Sequence, residues 1–427
     1  MINIEILREN KRKTDLNFIK RGCFFNHLFF YEFDSKIKYL KKKLYNLNRL
    51  SNIIATLIKV YRQFNLNYSF LLHEIAVIKV SSVNIKKKLY YLEVKFNNFL
   101  LTLPNFLHNS VNYGLSVDDN LEIRSFRASK FASAKIIYDR YLNDPEFNKN
   151  YIDFELSSNI SGSGFVILKN EIASLHRAVC NYMIDLHVHK HGYKEVISPL
   201  CVNEKSMYNT GHFPKFYNDQ FGLSDTNLWL IPTAEVVLAN IFSNSIIIED
   251  ELPIKLVSKT ECFRKEKGSY GSKVKGLIRQ HQFDKVELVS IVKPCESYTL
   301  LEELLSHAEL VLQNLDLSYR VLSLCSFDTG FTSSKTYDLE VWFPKRKLYV
   351  EVASCSNTET FQAYRMGAKY RKLCSSLDYT HILNGSGLAV GRVLLAIIEN
   401  NVDNDGNILI PDVLVKYMNG CRVIKYK

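Results

Sequence analysis

The 427-residue chain predicts an α+β fold: a predominantly antiparallel sheet with flanking helices, preceded by an antiparallel helical hairpin. Three observations carry this expectation. Apolar residues keep heptad spacing through two stretches between Phe33 and Phe99, a polar irregular stretch follows, and short β-like runs then alternate with turns. A hydrophobic fraction of 47% is ample for the cores of two domains at this length.

The first seam runs through Phe33, Ile37, Leu40, Leu44, Leu47, Ile54, Ile58 and Tyr61, and the second through Leu71, Ile75, Ile78, Ile85, Leu89, Leu92, Phe96 and Phe99. Both step by alternating threes and fours, as a coiled-coil seam does. If the chain reverses at Asn65–Ser69, Phe33 faces Phe99, Ile37 faces Phe96, Leu40 faces Leu92 and Ile54 faces Ile78. The two missing seam positions, Ser51 and Ser82, then fall opposite one another. The hairpin spans roughly 45 Å at about 1.5 Å per residue, and Leu103-Pro104-Asn105 ends its second helix.

Its outer faces carry Lys36, Lys38, Lys41, Lys42, Lys43 and Arg49 on one helix and Lys86, Lys87, Lys88 and Lys95 on the other. Acids are few, notably Asp34, Glu74 and Glu93. A face that needed only solubility would mix signs for i,i+4 support, so the bias favours a phosphate backbone as partner. The net charge of +11 agrees, although a Lys-rich composition alone would also raise it. A solvated face and a coiled-coil dimeriser are the competing readings. A protruding hairpin with no other surface to pack on favours binding.

His108 to about Ile160 reads as a linker, containing VDDN and LNDPEF and ending in SSNI. Helical spacing resumes at Leu168, Ile172, Leu175, Val179 and Leu186. The runs KEVIS, LWLI, IKLVSK, VELVSIV, YRVLSL, TYDLEVWF and KLYVEVAS then read as strands, and Gly385–Asn400 as a loop followed by a helix. The expected domains are 1–107, the hairpin domain; 108–160, the linker and the start of the next domain; and 161–427, the sheet domain.

Nine scattered cysteines with no C-x-x-C pair indicate buried thiols in a reducing compartment, neither a disulfide framework nor a zinc ribbon. The amino terminus is charged where a signal sequence needs an apolar core. No run approaches the roughly 20 apolar residues of a membrane span, so a cytoplasmic protein without a membrane partner is expected.

The chemistry concentrates in Cys262-Phe263-Arg264-Lys265-Glu266-Lys267-Gly268-Ser269 and Gly276-Leu277-Ile278-Arg279-Gln280-His281-Gln282-Phe283. Arg264 and Glu266 share one face of the first segment, and Arg279 and Phe283 lie on the second. An arginine fork suits carboxylate or phosphate oxygens, and an aromatic face suits a purine. Unaided, these residues read only as a plausible nucleotide site.

Phe263-Arg264-x-Glu266 with Arg279 and Phe283 resembles motif two of the class II aminoacyl-tRNA synthetases, and Leu383–Arg392 resembles motif three. Pro199 in KEVISPL resembles the proline of motif one. Thr233-Ala234-Glu235, TYDLEVWFP at Thr336–Pro344, and SCSN followed by FQAYR resemble the bacterial-type seryl-tRNA synthetases, and the order of hairpin, linker and sheet domain extends the likeness over the whole chain.

The resemblance implies an ATP-dependent ligase that activates L-serine as seryl-adenylate and transfers it to tRNA(Ser). It leaves open whether selenocysteine tRNA is also served. Arg264 would bridge the α-phosphate and the serine carboxylate. Glu266 would contact the adenine side, Phe283 would stack on the ring, Lys265 would count among the ATP-binding residues, and Arg279 and Arg392 would hold the triphosphate tail. Glu351-Val352-Ala353-Ser354 would complete the ATP site, with Glu351 and Ser354 binding Mg²⁺ through hard oxygen ligands. Thr233, Ala234 and Glu235 would meet the ammonium of serine, Glu287 and Ser386 its hydroxyl, and Asn384 would support the pocket. A site built to bond a hydroxyl rejects alanine.

Motif one implies a homodimer. No zinc is implied, because the cysteines miss the positions a zinc-dependent variant would use. In the His187, His189 and His191 run two residues at i and i+4 share a helix face, but Gly192 is expected to end the helix there, and Asp185 and Glu195 fall at no recognised metal-ligand spacing. Asp338, Glu340 and Trp342 read as structural alternates of a half-buried strand. The sequence departs from the family at Ala353, at Lys265 and Lys267, at Phe327 and Thr329, and at Gly164, where an arginine is usual. Two other readings are a ligase that loads a carrier protein, which would lack the arm, and a non-catalytic RNA-binding paralogue, which would have lost Arg264, Glu351 or Arg392.

Overall fold

The computed structural model describes residues 1–129, 149–266, 276–403 and 405–425. The Leu142–Phe147 stretch and Lys267, Gly268 and Ser269 therefore lie outside the described residues. By compactness the chain forms two units: Cys23–Leu103, and Met1–Gly22 together with Pro104–Lys427. The first 22 residues, with helices α1 (Ile4–Glu9) and α2 (Lys11–Lys20), thus group with the larger unit rather than with the hairpin.

The smaller unit is the hairpin of α3 (His27–Gln63) and α4 (Ser69–Leu101). Ile54, Ile58, Leu71 and Ile78 form its distal core, with Leu47 and Ile75 against them. That is the expected meeting of the seams. The root differs. Phe33 stacks on Phe96 with centroids 6.4 Å apart, while Phe99 is met by Phe29 at 4.8 Å and by Phe25 at 5.9 Å. The Asn26 side chain caps α3, so the helix begins a full turn and more before Phe33. The extra aromatics displace the expected Phe33–Phe99 pair by one turn.

The outer face is less uniformly cationic than expected. Lys36 pairs with Glu32 at 2.5 Å, Lys38 with Asp34 at 2.8 Å and Lys41 with Glu93 at 2.8 Å.

The larger unit is organised by an eight-stranded sheet. In chain order its strands are β1 (Leu121–Phe126), β2 (Lys194–Glu195), β3 (Ile254–Phe263), β4 (Gln282–Val292), β5 (Tyr319–Ser323), β6 (Lys335–Phe343), β7 (Leu348–Asn357) and β8 (His381–Ala389). The spatial order is β1-β5-β6-β7-β8-β4-β3-β2. All neighbours are antiparallel except the short β2, which runs parallel to β3. The expected linker therefore contributes an edge strand. LEIRSF there pairs with β5, and Arg124 grips Glu309 at 2.5 Å.

The strands sort their side chains by the two-residue repeat. Val286 and Leu288, Leu339 and Val341, Ala353 and Cys355, and Leu383 enter one apolar core. Helices α5 (Asn170–His189), α6 (Ser297–Asn314) and α7 (Val390–Asn400) complete it through residues such as Val179, Leu304 and Leu394. The alternates Lys285, Glu287, Asp338, Ser354, Asn384 and Ser386 line a cavity instead. The segment expected as a loop at Gly385 is the central strand β8. A Cβ on Gly385 would lie 2.3 Å from Leu304 Cδ2, so helix α6 sits directly on this strand. Glycine reads as a turn signal in sequence, but here it permits close packing.

Candidate active site

The polar face of the sheet and the segments above it enclose a cavity of about 430 Å³. Thr233, Glu235, Arg264, Glu266, Arg279, Phe283, Glu287, Glu351, Val352, Ser354, Asn384, Ser386 and Arg392 all line it. Three expected site residues do not. Ala234 is fully buried in a second apolar core, and the Ala353 side chain faces the main core opposite the cavity. Lys265 holds its ammonium over the Phe221 ring at 5.5 Å. In each case the side chain takes the opposite direction from its lining neighbours.

Arg264 leaves the end of β3. Its Nε donates to Pro232 O at 3.3 Å and its guanidinium lies 5.3 Å above the Phe283 ring on β4. Arg279 Nε lies 3.6 Å from Glu266. Arg392 is in the first turn of α7. It donates from Nη1 to Glu351 O at 2.6 Å and from Nε to Ile278 O at 3.1 Å. Cation and aromatic groups thus share one wall, as an anionic nucleotide requires.

A second group is acidic. The Thr233 hydroxyl donates to Glu287 Oε2 at 2.7 Å, and Lys285 forms an ion pair with the same carboxylate. Glu235 Oε1 accepts from Gln362 Nε2 and Asn384 Nδ2, each at 2.6 Å. Burial first, and Glu287 second, push the Glu235 carboxyl up to about 7, while the two amide donors and Lys285 pull it back. A buried carboxylate pair held this way suits a small cation such as an ammonium group.

Asp338 and Ser354 sit opposite each other on β6 and β7. Asp338 is pushed well above the usual carboxylate range, mainly by burial and then by Glu351. Its Oδ1 is buried without a hydrogen-bond partner. Far from being a structural alternate, Asp338 therefore joins Glu351 and Ser354 in an oxygen-rich wall. Among the described residues no group of three His, Cys, Asp or Glu side chains is arranged to hold a metal ion by itself.

The sequence reading missed Lys285, Asp338, Gln362 and His212. Lys285 was available from the alternation Phe283, Lys285, Glu287 on one strand face. Gln362 stood in the quoted FQAYR run without a role, and only the fold brings it to Glu235. His212 lines the cavity, with its ring held neutral to about 3 by burial and by Arg264, Lys285 and Arg365. Nothing in its local sequence marks it. His187 and His191 approach within 3.0 Å through their Nδ1 atoms, and burial lowers them to about 3 and about 4. They pack behind β8, where a Cβ on Gly387 would lie 3.0 Å from His187 Nε2.

Two departures gain a physical setting. Phe327 is exposed, and Thr329 is buried with its hydroxyl donating to Cys325 O at 2.8 Å. Gly164 has φ +89°, and the His281 ring fills the place of its missing side chain.

Comparison with known proteins gives a consistent picture. A family model for the tRNA synthetase class II core domain (G, H, P, S and T) matches residues 220–401. The chain is 42% identical to the serine–tRNA ligase of Wigglesworthia glossinidia brevipalpis across 100% of both chains. It is 43% identical to that of Hydrogenobaculum sp. (strain Y04AAS1), across 98% of this chain and 99% of the relative. Among solved structures, seryl-tRNA synthetase from Pyrococcus horikoshii complexed with ATP superposes with a TM-score of 0.85 at 30% identity, covering 99% of each chain.

Proposed function

The chain belongs to the seryl-tRNA synthetase family, and from that premise we propose how its own residues activate L-serine with ATP and pass it to tRNA(Ser). The observation that carries the assignment is convergence: arginines, an aromatic ring and a buried acidic pair from separate segments line one cavity.

Activation joins two anions, so the site must offset their repulsion and align them. The serine ammonium is held by Glu235 with Thr233, and its hydroxyl by Glu287 and Ser386. Arg264 bridges the serine carboxylate and the α-phosphate. The carboxylate oxygen attacks phosphorus in line, the bond to the bridging oxygen of pyrophosphate breaks, and Arg279 and Arg392 stabilise the departing charge. Adenine lies on Phe283 with Glu266 beside it. Glu351 and Ser354 present the hard oxygens that Mg²⁺ prefers, and Asp338 adds a third beside them. The ion would neutralise phosphate charge there. In the second step a hydroxyl of the terminal ribose attacks the carbonyl carbon of the mixed anhydride, the bond to the phosphate oxygen breaks, and the phosphate of the departing AMP accepts the hydroxyl proton.

The hairpin Cys23–Leu103 supplies Lys42, Lys43, Arg49 and Lys86–Lys88 as contacts for the phosphate backbone of the tRNA. Pro199 supports a homodimer through motif one, and among the described residues no helix is long and apolar enough to cross a membrane.

Serine-dependent ATP–pyrophosphate exchange tests the assignment. Exchange with serine and none with alanine is expected. Intact tRNA binding without exchange would leave an RNA-binding protein and remove the enzyme.

A further inference from the structure

The strands carrying Arg264 and Phe283 are closed at the cavity end by a clasp that no motif assignment covers. Arg264 N donates to His281 O at 2.9 Å, and His281 N donates to Gly164 O at 2.8 Å. The His281 ring turns back on the same pair, with Nδ1 2.9 Å from Arg264 O. A carbonyl only accepts, so Nδ1 carries the proton. Arg264 is thus held at both backbone polar atoms by one residue. Its guanidinium is held separately by Pro232 O and Phe283.

Two aromatic rings flank the half-buried imidazole. Phe165 lies 5.4 Å and Phe221 6.2 Å away, centroid to centroid. A Cβ on Gly164 would fall 2.5 Å from His281 Cδ2 and 2.8 Å from Nε2, and the +89° φ of Gly164 disfavours any side chain there. Where an arginine is usual at this position, glycine here makes room for the imidazole.

We propose that His281 is a positioning residue for adenylate formation, fixing the backbone of Arg264 through Nδ1–H, and that Gly164 is the cradle that admits its ring. This rests on Arg264 being the arginine that bridges serine and ATP. The catalytic argument is geometric: a guanidinium that must touch two reacting groups loses rate steeply with displacement, on the order of 100-fold for about 1 Å.

The experiment uses the full-length protein in serine-dependent ATP–pyrophosphate exchange, with melting temperature measured alongside. An asparagine amide occupies the place of Nδ1, whereas a glutamine amide reaches the place of Nε2. His281→Ala and His281→Gln should lower kcat about tenfold with a smaller change in the KM for serine. His281→Asn should stay within about threefold of wild type. Gly164→Ala should lower kcat, and the double variant Gly164→Ala/His281→Ala should lose less than the product of the two single losses. Equal rates for the Asn and Gln variants, a His281→Ala rate within twofold of wild type, or multiplicative single losses would each overturn the proposal. Arg264→Ala separates the two levels. If it abolishes exchange while His281→Ala stays within twofold of wild type, the positioning role alone fails. If Arg264→Ala keeps exchange, the reading of Arg264 fails and this inference with it.

Discussion

The acidic end of the cavity offers a test that joins stability to substrate binding. Glu235 titrates at about 7 instead of its ordinary 4.5, chiefly because it is buried and then because Glu287 is near. That difference corresponds to about 3 kcal/mol at roughly 1.36 kcal/mol per pKa unit. The folded-state value lies above the unfolded one, so ionised Glu235 opposes folding. The opposition is absent below pH 4.5, grows between pH 4.5 and 7, and is complete above 7. Glu235→Gln keeps an acceptor for Gln362 and Asn384 and removes the charge. It should therefore be more stable than wild type by up to about 3 kcal/mol at pH 8 and equal to it near pH 4.5. Denaturant unfolding at several pH values measures this. The same variant should fail to use serine. In the wild type, kcat/KM for serine should fall about tenfold from its plateau by pH 6, because only ionised Glu235 binds the ammonium and this ratio reports the free enzyme. Glu287→Gln should move the inflection to lower pH. A Glu235→Gln protein no more stable at pH 8 than wild type, together with a flat serine profile between pH 6 and 8, would refute the reasoning.

Other expectations follow from separate parts of the molecule. Asp338→Asn should raise the Mg²⁺ concentration for half-maximal exchange by about tenfold, as loss of a supporting ligand does; an unchanged requirement would return Asp338 to a packing role. Deleting Phe33–Phe99 should spare exchange and abolish tRNA charging, and equal loss of both would deny the arm a separate role. Lys86/Lys87/Lys88→Ala should weaken tRNA binding and flatten its log–log salt dependence by about 0.7–0.9 for each phosphate that is no longer neutralised. His187, lowered to about 3, contributes stability that is present above pH 6.5 and lost as pH falls. His187→Gln should remove about 2 kcal/mol of the acid loss between pH 7 and 5, seen as the pH dependence of the difference from wild type.

The legible parts of this fold were those written in local periodicity. Heptads located α3 and α4, and the alternation in VELVSIV and TYDLEVWF located β4 and β6, because one face of each element is buried against a continuous core. The root of the hairpin was misjudged because Phe25, Phe29 and Phe30 precede the heptad run and compete for Phe96 and Phe99. Strand β8 was hidden because Gly385 and Gly387 serve packing against Leu304 and His187, a demand set by distant segments. Arg264, Glu266, Phe283 and Arg392 were legible only through their resemblance to known motifs. As isolated residues they are indistinguishable from salt-bridge and core residues.

Two of the residues that escaped the sequence reading share a physical task. Lys285 and Gln362 act on charges carried by other residues: Lys285 on Glu287 and Gln362 on Glu235. A buried carboxylate is tolerated only when donors or a countercharge surround it. The site therefore requires such partners wherever the substrate is to meet an ionised acid. Their identity is free within that requirement, since an amide, an ammonium or a hydroxyl can each serve, so no fixed spacing announces them. The same holds for His281, which acts on a backbone carbonyl that every residue possesses. Motifs record the groups that touch substrate, whose chemistry is constrained. The groups that hold those in place are found by asking, for each buried charge and each catalytic backbone, what offsets it. In this chain that question leads from Glu235 to the helix Thr360–Met366 and from Arg264 to Gly164, two connections more than 90 residues long in sequence and one hydrogen bond or one close approach wide at each step.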